Sequence, residues 1–117
     1  MIVALAGGVG GSKLVLGFSK VLPVDQLGII GNTGDDIELF GLRICPDLDT
    51  ITYTLSGMVN PCTGWGIRED SFVCLETIVK LGAPGWFKLG DQDLATHLWR
   101  TLQLKQGLSL TQATENI

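Results

Sequence analysis

A cluster of glycines follows the first apolar run of the chain and constrains its fold more than any other feature. The apolar run is Ile2–Ala6, and the residues after it, Gly7–Leu14, read Gly-Gly-Val-Gly-Gly-Ser-Lys-Leu. A helix-compatible stretch, Ser12–Val21, comes next, so the order predicts a strand, a tight glycine loop and a helix. Such loops present backbone N–H groups and the positive end of a helix dipole to an anion. The sequence therefore predicts a site for a nucleotide or a diphosphate.

The loop departs from the two phosphate-binding motifs that it resembles. A Walker A loop that starts at Gly7 needs glycine at Ser12 and a hydroxyl residue at Leu14. The dinucleotide fingerprint that starts at Gly8 needs glycine at Lys13. A tight strand–helix turn without any ligand is the alternative interpretation. The candidate anion-binding residues of the loop are Gly7, Gly8, Gly10, Gly11, Ser12 and Lys13.

The composition narrows the class of protein. The chain has 117 residues, the size of one domain, and 45% of them are hydrophobic. No apolar run approaches the roughly 18 residues of a membrane span, and no basic leader precedes a long apolar stretch. The net charge of −4 argues against binding to nucleic acid or to an anionic membrane. Three cysteines without Cys-x-x-Cys spacing fit reduced thiols, so a cytoplasmic protein is expected.

The apolar pattern predicts a second strand and a further helix after the glycine loop. Leu27–Ile30 is a second short apolar run, and Ile37–Ile44 is either an irregular loop or a short strand. Pro46 suits the first turn of a helix whose apolar spacing continues to Val59. Apolar strands without alternation are typical of a parallel sheet that is covered on both faces. The pattern therefore predicts an α/β fold with an inserted helical segment.

Three more helices are expected in the second half of the chain. Their expected capping residues are, in chain order, Asp70 or Ser71, then Asp91, then Ser109. Ser109 and Gln112 match a capping box, in which each side chain binds the backbone N–H of the other residue. The sequence ends shortly after this cap, and a helix so short is marginally stable alone. We therefore expect the chain to be the N-terminal part of a longer α/β domain.

Four aspartates lie where the loops of the predicted sheet should meet, and they are Asp35, Asp36, Asp47 and Asp49. In an open parallel sheet these loops lie in one crevice, which here would also contain the glycine loop. Carboxylates beside a diphosphate repel it unless a cation lies between them. Mg²⁺ accepts one or two carboxylates together with waters and phosphate oxygens, so a Mg²⁺ site is expected. The alternative is that these aspartates complement a helix dipole and cap a turn.

Five segments together resemble the 2-phospho-L-lactate transferase family, CofD/FbiA, of deazaflavin coenzyme F-420 biosynthesis. The resemblance runs through the whole chain in order. Related YvcK-type proteins share the glycine loop and the acidic loop, but the third and fifth segments favour the transferase branch. The segments are Gly7–Leu14, Asn32-Thr-Gly-Asp-Asp36, Pro46-Asp-Leu-Asp-Thr50, Gly64-Trp-Gly-Ile67 and Gly90-Asp-Gln-Asp-Leu-Ala-Thr-His97.

This resemblance implies a Rossmann-like fold and a Mg²⁺-dependent transfer. The ribityl hydroxyl of the deazaflavin FO would attack the β-phosphorus of a guanosine diphosphate ester that carries lactate or enolpyruvate, and GMP would leave. Asp49 and Asp35 are the expected catalytic metal ligands, with Asp36 and Asp47 as alternates. Both substrates are small molecules, and no nucleic acid or membrane is expected as a partner. The full-length protein is expected to be a homodimer. A YvcK-type regulatory protein that binds a nucleotide without turnover is the alternative.

The resemblance also suggests substrate contacts outside the glycine loop. Trp65 lies between two glycines that leave its ring face open to stack on a deazaflavin, although an ordinary core or surface aromatic fits equally. His97 lies four residues after Asp93, a spacing that brings two side chains together on any helix. Arg100 is expected to be solvated. The expected substrate-binding residues beyond the loop are Asn32, Trp65, Asp91 and His97.

Overall fold

The glycine cluster belongs to the helix that follows the first strand as well as to the turn between them. A computed structural model describes all residues from Met1 to Ile117. Its first helix begins at Gly8, four residues before the expected start at Ser12. Gly8 has a φ of +65°, which favours glycine, and it makes the turn into the helix. A Cβ on Gly11 would lie 3.2 Å from the Cα of Ala6, so glycine allows the helix to pack closely on the strand.

Four strands and five α-helices follow one another along the chain, with a short 3-10 helix at Val24–Gln26. The strands are β1 (Ile2–Ala6), β2 (Leu27–Gly31), β3 (Ile37–Leu39) and β4 (Leu42–Ile44). The helices are α1 (Gly8–Val21), α2 (Pro46–Leu55), α3 (Val73–Lys80), α4 (Asp91–Lys105) and α5 (Leu110–Glu115).

β1 and β2 form the parallel pair that the sequence predicts, in the register Ile2 with Leu27 through Ala6 with Gly31. Helices α1 and α2 pack on one face of this pair, and the buried core there consists of Ala4, Ala6, Val15 and Ile51. The α/β architecture is therefore confirmed. In this chain the helices cover one face only, and the opposite face, which was expected to be covered too, exposes Val3, Leu5 and Ile30.

The segment from Ile37 to Ile44, for which a loop or a strand was expected, is an antiparallel hairpin. Its two turn residues, Phe40 and Gly41, have φ values of +54° and +73°. Two positive φ angles match the right-handed twist of the flanking strands, as in a type I′ turn. β4 leads directly into α2, and Pro46 is the first residue of that helix as predicted.

The expected caps hold for one of the three later helices. Ser109 accepts a hydrogen bond from the backbone of Gln112 and the capping box is complete, so this prediction is confirmed. Helix α3 begins after Phe72 and α4 after Gly90, and neither of these residues caps its helix through a side chain. The prediction that Asp70 or Ser71 caps α3 and that Asp91 caps α4 was therefore wrong.

None of the helices is long and apolar enough to cross a lipid bilayer.

Candidate functional site

Asp47 fastens the glycine turn to the start of α2. Its Oδ1 accepts a hydrogen bond from the Gly8 backbone N–H at 2.5 Å, and its Oδ2 accepts one from Asn32 Nδ2 at 3.1 Å. The Asn32 amide also donates to Asp35 Oδ2 at 3.2 Å. Asp47 is 7% exposed, and its carboxyl group lies at the N-terminus of α1. The structure thus brings Asn32, Asp35, Asp47 and the glycine turn together.

The other expected residues of the glycine loop differ in how accessible they are. Ser12 is buried, and its hydroxyl donates to the carbonyl of Val9 at 2.7 Å. Lys13 is exposed on the helix surface. A Cβ on Gly10 would meet no atom within 4 Å, so this position faces open space. The accessible part of the loop consists of Gly7, Gly8, Gly10 and Lys13.

Asp36 and Asp49 lie apart from the Asn32 contacts, in separate polar clusters. The carboxylate of Asp36 is 4% exposed, and its Oδ2 lies 3.2 Å from Arg43 Nη2 and 3.3 Å from Cys45 Sγ. Asp36 Oδ1 is buried without a hydrogen-bond partner. Burial raises the pKa of the Cys45 thiol to about 11, so this cysteine is a neutral donor at physiological pH.

Asp49 on α2 is held by a buried arginine. Arg100 Nη2 donates a hydrogen bond to Asp49 Oδ1, and Arg100 is fully buried. The expectation that Arg100 is solvated was therefore wrong. Burial raises the pKa of Asp49 to about 6, against the positive charge of Arg100, which lowers it. Asp49 Oδ2 has no hydrogen-bond partner and lies 3.6 Å from His97 Nδ1.

His97 connects Asp49 to a second carboxylate. Its Nε2 lies 3.1 Å from Asp93 Oδ2, and the other oxygen of Asp93 accepts a hydrogen bond from the Tyr53 hydroxyl at 2.6 Å. Burial raises the pKa of Tyr53, with Asp49 and Asp93 adding to the effect, so the phenol stays protonated and remains a donor. His97 is 1% exposed and Asp93 8% exposed. These residues form a continuous buried network between α2 and α4.

Tyr53 and Arg100 were not predicted as site residues and Asp93 was predicted only as a neighbour of His97, although the spacing of all three carries a signal. Asp93, His97 and Arg100 lie at i, i+4 and i+7 on α4, and Asp49 and Tyr53 lie at i and i+4 on α2. Each set shares one face of its helix, so two facing polar stripes were readable from the sequence. The pairing of the two stripes depends on the tertiary fold.

A cavity of about 330 Å³ opens beside this network. Asp49, Tyr53, Asp93 and His97 form its polar wall. The remaining lining residues are mainly aromatic or apolar and come from the end of β4, from α2 and from two loops: Ile44, Pro46, Thr50, Trp65, Gly66, Trp86, Phe87 and Lys88. The cavity is therefore apolar along its sides and charged at one wall, a combination typical of small-molecule sites.

Two loops supply the aromatic side of the cavity. The Trp65 loop (residues 56–72) is closed by a bridge between Val59 and Ile67, and Gly64 and Gly66 on either side of Trp65 have positive φ values. Trp65 is 40% exposed and lines the cavity. The Trp86 loop (residues 81–90) contributes the other wall. The expected stacking of the Trp65 ring on a deazaflavin stays a prediction.

The buried network can hold a divalent cation. One ligand atom each of Asp49, Asp93 and His97 lies within 4.8 Å of the others. The unpartnered Asp49 Oδ2 is an available oxygen ligand, and oxygen is the donor that Mg²⁺ prefers. The other oxygen of this carboxylate, Asp49 Oδ1, is already paired with the Arg100 guanidinium. The oxygen donors of the site therefore fit a hard cation, with His97 as the less typical Mg²⁺ ligand.

Comparison with known proteins matches residues 2–117 to the family described as 2-phospho-L-lactate transferase CofD. Similar curated proteins are named phosphoenolpyruvate transferase. The chain is 50% identical over 115 residues to the one from Streptomyces griseus, 46% over 123 residues to that from Thermobifida fusca and 44% over 128 residues to that from Mycobacterium bovis. Each match covers 97% of this chain and 36%, 38% and 39% of the relative, respectively. The chain belongs to the CofD family.

Proposed function

We propose that the protein transfers a phospho-lactyl or phospho-enolpyruvyl group to a deazaflavin in coenzyme F-420 biosynthesis. The family match and the name of the relatives, phosphoenolpyruvate transferase, support a transferase. The observation that carries the proposal is the cavity, which joins aromatic walls to the buried carboxylate of Asp49. A planar acceptor with a polar hydroxylated chain has the same division between an apolar and a polar part.

The acceptor FO would bind with its ring system against the aromatic wall. Trp65 and Trp86 line the cavity from two different loops, and both are partly exposed, at 40% and 69%. Exposed aromatic faces gain contact area when a planar ring covers them. The ribityl chain would then extend towards Asp49, whose Oδ2 has no partner in the chain and can accept a hydrogen bond from a hydroxyl.

The donor, a guanosine diphosphate ester, would bind at the glycine turn. Gly7, Gly8 and Gly10 offer backbone close to the N-terminus of α1, and Lys13 offers a cation. Asn32 would hold its position through Asp35 and Asp47. Because Asp47 already accepts the Gly8 N–H, a phosphate would approach the remaining part of the turn. A groove at the carboxyl ends of β1 and β2 adjoins this region and is lined by Leu5, Ala6, Ile30, Gly31 and Asn32.

Mg²⁺ would neutralise the charge between the donor phosphates and the carboxylates when bound. We propose Asp49 as its ligand, together with Asp93, which lies beside it across His97. The other expected ligands lie in separate clusters, Asp35 and Asp47 with Asn32 and Asp36 with Arg43. In the reaction, the acceptor hydroxyl oxygen forms a bond to the β-phosphorus and its proton is lost to solvent. The bond from that phosphorus to the bridging oxygen breaks, and GMP leaves with that oxygen. The chain's contribution is to position the two substrates and to compensate charge, which supplies most of the catalysis in phosphoryl transfers.

The test is a turnover assay on the full-length protein with FO, Mg²⁺ and either the lactyl or the enolpyruvyl donor. We expect release of GMP that depends on FO, together with a phosphodiester product of the expected mass. Comparison of the two donors identifies the preferred three-carbon acid. A protein that binds the guanosine nucleotide tightly but forms no phosphodiester with either donor would contradict the proposal and favour the nucleotide-binding regulatory alternative.

A further inference from the structure

Asp70 and Asp91 each bind the start of the helix that follows the other residue. Asp70 accepts hydrogen bonds from the backbone N–H groups of Gln92 and Asp93, at 2.9 and 3.2 Å, in the first turn of α4. Asp91 accepts hydrogen bonds from Val73 and Cys74, at 3.0 and 2.9 Å, in the first turn of α3. Each carboxylate therefore caps the helix that follows the other residue. We call this arrangement the Asp70–Asp91 clasp.

Further contacts join the same two segments. The Ser71 hydroxyl donates to Asp91 Oδ2 at 2.6 Å, and the Asp91 backbone N–H donates to the Ser71 carbonyl at 2.7 Å. Lys88 Nζ lies 5.1 Å from the centre of the Phe72 ring, within the range of a cation–π contact. Hydrogen bonds from Ser71 and from the Cys74 backbone lower the pKa of Asp91, so it stays ionised at the helix start.

The clasp lies at the junction of the two loops that form the aromatic wall of the cavity. Asp70 lies near the end of the Trp65 loop, and Asp91 directly follows the end of the Trp86 loop. Gly90 permits the contact, since a Cβ at this position would overlap Asp70 Oδ2. Neither Asp70 nor Asp91 lines the cavity itself. The two residues are therefore placed to fix the separation of the tryptophan-bearing loops without touching a ligand.

We propose that Asp70 and Asp91 are positioning residues that hold the Trp65 and Trp86 loops at the spacing required by a planar acceptor. This inference rests on the proposed function for the identity of the acceptor, and on the geometry alone for the ordering of the loops. Removal of either carboxylate leaves the N-terminus of one helix without its cap and releases one loop from the other. The affinity for the planar substrate should then fall, while the donor site at the glycine turn stays intact.

The experiment compares Asp70→Ala and Asp91→Ala with Ser109→Ala in the full-length protein. Ser109→Ala is the matched control, because it also removes a side-chain cap, from α5, and Ser109 does not line the cavity. We expect both clasp variants to raise the KM for FO about tenfold, with kcat and the KM for the donor changed less than about twofold. Asp70→Asn, which keeps one acceptor oxygen, replaces Asp70→Ala if the latter does not fold.

A second readout is independent of the acceptor. Hydrogen exchange should become faster in residues 56–72 and 81–90 of the clasp variants and should be unchanged there in Ser109→Ala. Unchanged exchange in both loops of the clasp variants would overturn the clasp. An unchanged KM for FO in these variants would overturn it too, provided that the wild-type enzyme uses FO. If the wild-type protein binds no FO, the proposed function fails, and the exchange data alone decide whether the clasp orders the loops.

Discussion

Arg100 and Asp49 form an ion pair that is almost completely removed from solvent. Arg100 is 0% exposed and Asp49 is 5% exposed. The same guanidinium donates to the carbonyl of Arg43 in β4 at 3.1 Å, so one side chain on α4 joins both α2 and the hairpin. Water cannot compensate either charge if the other is removed. Each residue of the pair therefore depends strongly on its partner.

Replacement of Arg100 by methionine should reduce the free energy of unfolding by about 3–5 kcal/mol at pH 7, because Asp49 would remain buried and unpaired. Urea denaturation measures this loss. Arg68→Met is the control, since Arg68 is exposed and makes no side-chain hydrogen bond or salt bridge. The control should change stability by less than about 0.5 kcal/mol. Equal losses in the two variants would show that the pair with Asp49 does not determine the effect.

The stability of the fold should depend on the ionisation of Asp49. Its pKa in the folded protein is about 6, above its ordinary value of 3.8. Between these values the folded state binds more protons than the unfolded chain, so this residue's contribution to stability rises as the pH falls from about 7 to about 4. The difference between the two pKa values corresponds to about 3 kcal/mol.

The measurement is the free energy of unfolding of the wild type minus that of Asp49→Asn at several pH values. We expect this difference to rise towards acidic pH. The same difference for Asp91→Asn should fall towards acidic pH. The pKa of Asp91 is lowered in the folded state, so its stabilisation is lost as the pH falls through that lowered value. A flat difference curve for Asp49→Asn would contradict the raised pKa.

Asp49→Asn should also reduce the turnover of the full-length protein by a factor of about 10² or more, the scale expected when a charged group is removed from a transition state. The amide keeps one oxygen for Arg100, so the protein should still fold. Steady-state kinetics with FO and the donor test this, and circular dichroism confirms the fold. Turnover at the wild-type rate would exclude Asp49 from the mechanism.

Gly10 and Gly11 should respond differently to valine, although they are adjacent. Gly10 faces open space, so Gly10→Val should leave stability nearly unchanged and weaken guanosine diphosphate binding about tenfold if phosphate approaches the backbone there. Gly11 packs on Ala6, so Gly11→Val should cost about 1–3 kcal/mol of stability. Calorimetry and urea denaturation separate the two effects. Tight nucleotide binding by Gly10→Val would argue against a phosphate site at the turn.

Elements with strong local signals were predictable from the sequence, and contacts between distant residues were not. Pro46 at the start of α2 and the capping box at Ser109 are local features, and both were confirmed. Helix α1 begins earlier than expected because packing on β1 outweighs the low helix propensity of glycine. The burial of Arg100 could not be predicted, since its partner Asp49 is 51 residues away.

The helix caps show the same limit. The rule that a polar residue caps the helix directly after it assigned Asp91 to α4, and the rule fails because Asp91 reaches the start of α3 instead. Nothing in the local sequence around Asp70 distinguishes its own helix from one that starts about twenty residues later. The candidate site was therefore predictable in its residue types but not in its partnerships.

The close approach of Gly90 to Asp70 limits the order in which these two positions can change during evolution. A Cβ at position 90 would overlap the Asp70 carboxylate, so any side chain there requires that carboxylate to leave its place at the start of α4. A lineage that shortens residue 70 first loses the two hydrogen bonds of Asp70 but gains freedom at position 90, whereas the reverse order also introduces a collision. Mutational scans should accordingly find most substitutions at position 90 harmful in the native background and tolerated after Asp70→Ala.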